Sequence, residues 1–162
     1  MLIISGPTAA GKNTVGHLLA MQRERCAVLD FDLVRKMFVN PHQPPWAGEE
    51  GKAQQFLGVK QVCSLAENFS EAGGEVIILD VLSTETVKIY RHLLYQNNLK
   101  IVQLLPTFEE LNQRFYQRGA CLTDDELKMI YEEQSDYTDY DLKIDNTFIS
   151  PVEVTKMISH LL

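Results

Sequence analysis

A chain of 162 residues, 45% hydrophobic and 23% charged, is the size of one ordinary globular domain and can bury a real core. Its 15 basic residues face 22 acidic ones, for a net charge of -7, and no run of Lys or Arg tracks a nucleic-acid backbone. The balance argues against a polyanionic partner but not against a bound nucleotide, because a phosphate site is made by a few local backbone groups and cations.

The first strand candidate, Leu2 to Ser5, runs directly into Gly6-Pro7-Thr8-Ala9-Ala10-Gly11-Lys12-Asn13-Thr14 and then a helix candidate, Lys12 to Met21. Strand, loop and helix are the context that makes a GxxxxGK pattern meaningful. Gly6 and Gly11 permit torsions that side chains block, so the loop N–H groups can turn inward on a phosphate, and the helix adds its positive end. Lys12 supplies a point charge for the β and γ phosphates. The place that normally offers a hydroxyl to magnesium carries Asn13, whose amide oxygen is also a hard neutral ligand. Thr14 is expected to face the α-phosphate or to cap locally.

The second strand candidate, Cys26 to Phe31, ends in Leu29-Asp30-Phe31-Asp32. While the chain stays extended, Asp30 and Asp32 face one side, where one can hold hydrated magnesium and the other can accept a hydroxyl proton. The plainer alternative is Asp32 as N-cap of a short helix, Leu33 to Phe38. Arg35 then binds an anionic part of a substrate or pairs with Asp32. A Pro-rich stretch, Asn40 to Glu50, is either a connection or a substrate-covering flap of about residues 39–52, ahead of a helix at Gly51 to Ala72.

The third strand candidate, Glu75 to Asp80, is apolar until it delivers Asp80, the form of a Walker-B carboxylate, or else a turn aspartate before a helix at Thr84 to Gln96. A fourth strand, Lys100 to Pro106, precedes a helix at Phe108 to Arg118. Arg114 and Arg118 share one face of it and lead into a lid of about residues 118–124 that could close over a transferring phosphate. After a helix at Asp124 to Tyr137 comes the last strand, Leu142 to Asp145. Asn146 and Thr147 follow it in a turn that could meet an adenine edge, before a helix at Pro151 to Leu162.

The rhythm is α/β: a parallel sheet covered by helices on both faces, with ligands beyond the carboxyl ends of the strands. Residues 1–162 read as a single domain. Cys26, Cys63 and Cys121 lack paired spacing and read as reduced thiols, which favours the cytoplasm. The start MLIIS lacks a signal peptide's basic flank, no apolar run approaches membrane-spanning length, and the histidines show no metal-ligand spacing. Nothing reports the oligomeric state.

The ordered set GPTAAGKNT, LDFD, VIILD, LNQRFYQRG and KIDNTFISPVEV resembles the small P-loop kinases of metabolites and antibiotics, the group containing shikimate kinase, gluconate kinase and chloramphenicol phosphotransferase. The resemblance implies the three-layer P-loop NTPase fold, with a five-stranded parallel sheet and a small lid. It also implies transfer of the ATP γ-phosphate, with Mg2+, to the hydroxyl of a small-molecule acceptor. By position it makes Asp32 the catalytic base, Asp30 a magnesium-side carboxylate and Arg118 the lid arginine, beside the catalytic Lys12 and the metal-side Asn13 and Asp80 read from the residues above. Arg114 would lie against adenine, and Asp32 and Arg35 would meet the acceptor. Two departures stand out: Asn13 itself, and VLSTET after Asp80 in place of the glycine-rich substrate turn of shikimate kinase. The stretch around Trp46 looks closer to the antibiotic-phosphorylating members. Alternatives are a nucleoside or nucleotide kinase, with Arg35 on an acceptor phosphate, and a nucleotide-binding regulatory ATPase without a small acceptor.

Overall fold

The computed structural model describes residues 1–119 and 122–162. Cys121 and part of the expected 118–124 lid lie outside the described residues. Five strands form one parallel sheet: β1 (Leu2–Ser5), β2 (Cys26–Asp30), β3 (Glu75–Asp80), β4 (Lys100–Leu104) and β5 (Leu142–Ile144), in the order β2-β3-β1-β4-β5. β1 and β3 are almost wholly buried, which is why LIIS and VIILD read as continuous apolar runs with no polar alternation.

Side chains from opposite pleats feed two cores. Leu2, Ile4, Ile77 and Leu79 point to one side, where they meet α1 (Lys12–Ala20), α5 (Phe108–Gln117) and α7 (Pro151–Ile158) through Val15, Leu19, Phe115 and Val154. Ile3, Ile78 and Ile101 point to the other, against α3 (Gly48–Glu71) and α4 (Thr84–Leu93) through Val59, Val62, Val87 and Tyr90. Each such fully buried Leu or Ile contributes roughly 1.5–3 kcal/mol. The result is the helix–sheet–helix sandwich expected of the chain. Among the described residues no helix is long and apolar enough to cross a membrane.

Register sets the site. Ser5 pairs with Asp80 and Asp30 pairs with Leu79, so the ends of β1, β2 and β3 finish within a residue of one another. The chain leaves β1 for the β2–β3 side and later crosses to β4, and ligands of such sheets bind where the strand order reverses.

Several boundaries differ from expectation. β2 stops at Asp30, and α2 occupies Phe31–Arg35, two residues earlier than expected. The cause is Asp30, whose carboxylate accepts the Asp32 and Leu33 N–H groups and turns the chain there, with Phe31 buried. Asp30, not Asp32, is therefore the cap, and the two carboxylates do not share one side of an extended strand. α3 begins at Gly48, so the irregular stretch is residues 39–47, shorter than the expected 39–52. α4 ends at Leu93, and Tyr95–Asn97 forms a separate tight turn closed by left-handed Asn98. α6 (Asp124–Asp136) and α7 start where Thr123 and Ser150 make capping boxes with Glu126 and Glu153.

Candidate active site

The loop after β1 takes the shape its glycines allow. Gly6 has φ 143°, and a Cβ there would lie 2.2 Å from the Leu104 carbonyl oxygen, so the loop can only pass this close to β4 without a side chain. Gly11, at φ 99°, opens α1, and Ala9 is also left-handed at φ 67°. Strain at a non-glycine residue of this kind persists where the surroundings hold it. One holder is visible: Asn146, in the turn after β5, donates its amide to the Ala10 carbonyl at 2.8 Å. Lys12 folds back over the loop and donates to the Gly6 and Pro7 carbonyls at 2.8 and 3.0 Å.

Lys12 marks the electrostatic centre. Burial holds its ammonium below the ordinary lysine value, Asp32, Asp80 and Asp30 oppose that shift, and Arg118 adds to it. Residues far apart in sequence thus act on the charge of one amine. Asp80 is buried; its Oδ1 accepts the Val81 N–H at 2.7 Å and its Oδ2 accepts the Tyr90 hydroxyl at 2.9 Å. Burial nonetheless pushes its carboxyl up to about 7, against those two hydrogen bonds. Asp80 caps no helix; Ser83 fills that role for α4.

Asn13 donates its amide nitrogen to Asp30 Oδ2 at 2.7 Å, which fixes which end of the amide is free: the oxygen. Asp30 therefore ties the phosphate-loop helix to α2. Asp32 is exposed on the first turn of α2.

Among the described residues Arg35 does not pair with Asp32; instead it donates to the Gln43 carbonyl at 2.5 Å and lies 3.4 Å from His42 Nε2. It anchors the irregular stretch before α3. Gln54 of α3 does the same from below, accepting from the Gln43 N–H and donating to the Pro41 carbonyl. Gly51 lets α3 approach, since a Cβ there would stand 2.1 Å from the Pro44 carbonyl oxygen.

On the opposite side of the loop a cleft of about 270 Å³ is lined by Ala9, Gly11, Thr14, Arg114, Arg118 and Asn146, with Ile149 and Pro151. It joins the phosphate loop to the turn after β5, the expected adenine side. Arg114 is held by Glu110 at 2.8 Å and donates to the Asn146 and Thr147 carbonyls. Thr147 accepts the Thr107 N–H and donates to Asp145, so its side chain shapes the turn. The Asn146 Oδ1 is buried without a partner. Thr8, half-buried, sits in the same loop.

Some site-supporting residues escape sequence reasoning. Tyr90, one helix away from Asp80, is one. Another is Gln134, buried on α6, which donates to the Leu82 carbonyl at 2.6 Å and accepts from the Ser5 hydroxyl at 3.4 Å. Its signal was present: Gln134 occupies a core position in the apolar stripe Leu127, Ile130, Tyr137, where a polar residue needs a partner.

No model of a known protein family matches the chain, and no curated protein sequence matches it. Solved structures do. A sugar kinase from Janibacter sp. superposes over 99% of this chain and 92% of its own with a TM-score of 0.74 at 15% identity. Shikimate kinase from Aquifex aeolicus matches over 97% and 92% with a TM-score of 0.65 at 22% identity. A gluconokinase from Sinorhizobium meliloti matches over 99% and 89% with a TM-score of 0.67 at 14% identity. This chain shares their fold, a five-stranded parallel sheet with helices on both sides.

Proposed function

We propose that residues 1–162 act as one kinase-like domain that moves the γ-phosphoryl group of ATP to a hydroxyl of a small molecule. What carries this reading is Lys12, folded over the loop after β1, with Asp32, Asp80, Asp30 and Arg118 all acting on its charge, and Ser5 and Asp80 in register at the ends of β1 and β3. A phosphate loop alone fits any nucleotide-binding protein; a phosphate loop beside an exposed carboxylate fits a transferase. That similar folds carry the names sugar kinase, shikimate kinase and gluconokinase supports it.

In this reading the loop amides and Lys12 bind the β and γ phosphates, Lys12 exchanging its two carbonyl contacts for phosphate oxygens. Thr14, Arg114 and the turn at Asn146 and Thr147 receive the nucleoside side in the cleft. The acceptor oxygen forms a bond to the γ phosphorus, and the bond from that phosphorus to the β–γ bridging oxygen breaks. Its electron pair leaves with ADP, and the hydroxyl proton passes to Asp32. Arg118 neutralises the oxygens in transit. The free Asn13 amide oxygen, with Asp30 and Asp80, would supply hard oxygen donors for Mg2+, which would neutralise charge at the phosphates when bound. ATP as donor, together with the free Cys26 and Cys63, favours the cytoplasm.

The test is ADP release with and without a panel of nucleosides, sugar acids and aromatic antibiotics. Acceptor-dependent turnover is expected. Asp32→Asn lowers kcat by about 10²–10⁴-fold with ATP binding kept, whereas Lys12→Ala loses the binding itself. Slow hydrolysis indifferent to every alcohol instead identifies a regulatory ATPase.

A further inference from the structure

The nucleotide side of the site is the cleft lined by Arg114, Arg118 and Asn146, which leaves an acceptor the side where Asp32 stands on α2, ahead of the irregular stretch 39–47. Residues 31–38 stay coiled, because α2 is continued by the Met37 N–H on the Val34 carbonyl and the Phe38 N–H on the Arg35 carbonyl, each at 3.1 Å. Phe31 is the buried side of this coil. Asp32, Leu33, Lys36 and Met37 form its exposed side, Asp32 lying four residues before Lys36 and Leu33 four before Met37. The surface that carries the proposed base thus also carries two large apolar side chains, 62% and 75% exposed.

The apolar surface continues past the coil. Phe38 and Val39 come next, the latter 79% exposed, and Trp46 stands near the end of the same stretch. Of the 14 large apolar side chains exposed among the described residues, five lie within residues 33–46, and no separate stretch of that length holds more than three. Apolar residues exposed singly need no explanation, whereas a cluster marks a ligand groove or an interface. The backbone that displays this cluster is pinned, since Arg35 and Gln54 both hold Gln43 and Gln54 also holds Pro41. These side chains forgo the stabilisation that burial gives, and bordering Asp32 they regain it against an acceptor. Lys36 puts a cation on the same side, so the surface does not turn away an anionic group; what distinguishes it is apolar area.

We infer, on the phosphotransferase reading, that the acceptor is an alcohol with a sizeable apolar body, whose hydroxyl meets Asp32 while the body lies on Leu33, Met37, Phe38 and Val39. Burial of that body supplies the affinity, and a single methylene in an apolar pocket already separates substrates by about 10–200-fold. Sugars and sugar acids offer no such area and are poor acceptors.

The test uses the full chain with ATP, Mg2+ and a metabolite extract divided at neutral pH on a reversed-phase column. Each fraction is analysed by mass spectrometry for compounds that gain one phosphoryl group, with the native chain and with Met37→Ser and Val39→Ser, exposed positions whose replacement spares the core. The expected product comes from the retained, apolar fraction, exceeding that from the unretained fraction by about tenfold or more, which corresponds to about 1.4 kcal/mol of discrimination. Each variant lowers it about tenfold and leaves the KM for ATP unchanged. Product arising mainly from the unretained fraction overturns the inference while leaving the phosphotransferase intact. Retained-fraction product that neither variant lowers overturns it as well, because the apolar contact then lies elsewhere. A native chain that sediments as a dimer, split by Met37→Ser, means that a second copy covers the surface, and the inference falls. ADP release that no fraction stimulates removes the phosphotransferase reading, and this inference with it.

Discussion

Asp80 is a carboxylate held on both oxygens, by the Val81 N–H and the Tyr90 hydroxyl, in a place almost without solvent. Because its carboxyl is raised from an ordinary 3.8 to about 7, the folded chain binds a proton there that the unfolded chain has released between those values. Stability from this group is fully present below about pH 3.8 and is lost as pH rises through about 7, by up to about 4 kcal/mol. Asp80→Asn keeps an acceptor for Val81 and removes the buried charge. Without nucleotide or metal it is expected to melt higher than the parent at pH 8, with the gap closing toward pH 4 in thermal unfolding scans. A parent chain that gains on the variant as pH rises contradicts the burial account. Such a cost at Asp80 is what a ligand-binding role proposed for it would lead one to expect. The Asp80 position was legible in the sequence, because an apolar strand ending in one carboxylate states both burial and direction. The division between Asp30 and Asp32 was not. An aspartate two residues before a helix and one at its first turn look alike in sequence, and only the bonds from Asp32 and Leu33 to Asp30 decide which one turns the chain.

The flap shows how one helix disciplines an irregular stretch. Residues 39–47 contain no regular structure, yet Gln54, buried on α3, holds both the Gln43 N–H and the Pro41 carbonyl while donating to Glu50 as well. Arg35 closes the other side from α2. Gln54→Ala leaves these groups unpaired and is expected to cost roughly 1–3 kcal/mol in urea unfolding. It is also expected to raise the acceptor KM with little change in the KM for ATP, since the phosphate loop stands on different elements. An unchanged acceptor KM would mean that the flap is a connection and does not cover the substrate. From sequence alone the stretch was open to both readings. Proline and glycine mark an irregular segment, but the partners that fix it come from α2 and α3 and carry no local pattern.

The whole molecule was the most readable level. Five apolar runs separated by amphipathic segments allow few arrangements other than a helix-covered parallel sheet, and the GxxxxGK loop after the first run fixes which end of that sheet carries the ligand. Less visible was the polar link under the site. Ser5 at the end of β1, Leu82 after β3 and Gln134 on α6 are joined by hydrogen bonds, and Gln103 on β4 donates to the Gln134 carbonyl. Such pairs form across the fold between residues up to 129 positions apart, and no periodicity announces them. They connect α6 to β1, the strand that precedes the glycine loop, and to β4, so these elements rest on one frame. The fold supports many chemistries, and the claim of phosphoryl transfer stands on the site alone. The most direct test follows the phosphoryl group itself, using ATP with a heavy-oxygen label on its γ-phosphoryl group, Mg2+ and a metabolite extract. The account predicts that the label appears on an organic acceptor with the native chain and on none with Lys12→Ala; label found only in inorganic phosphate would contradict it.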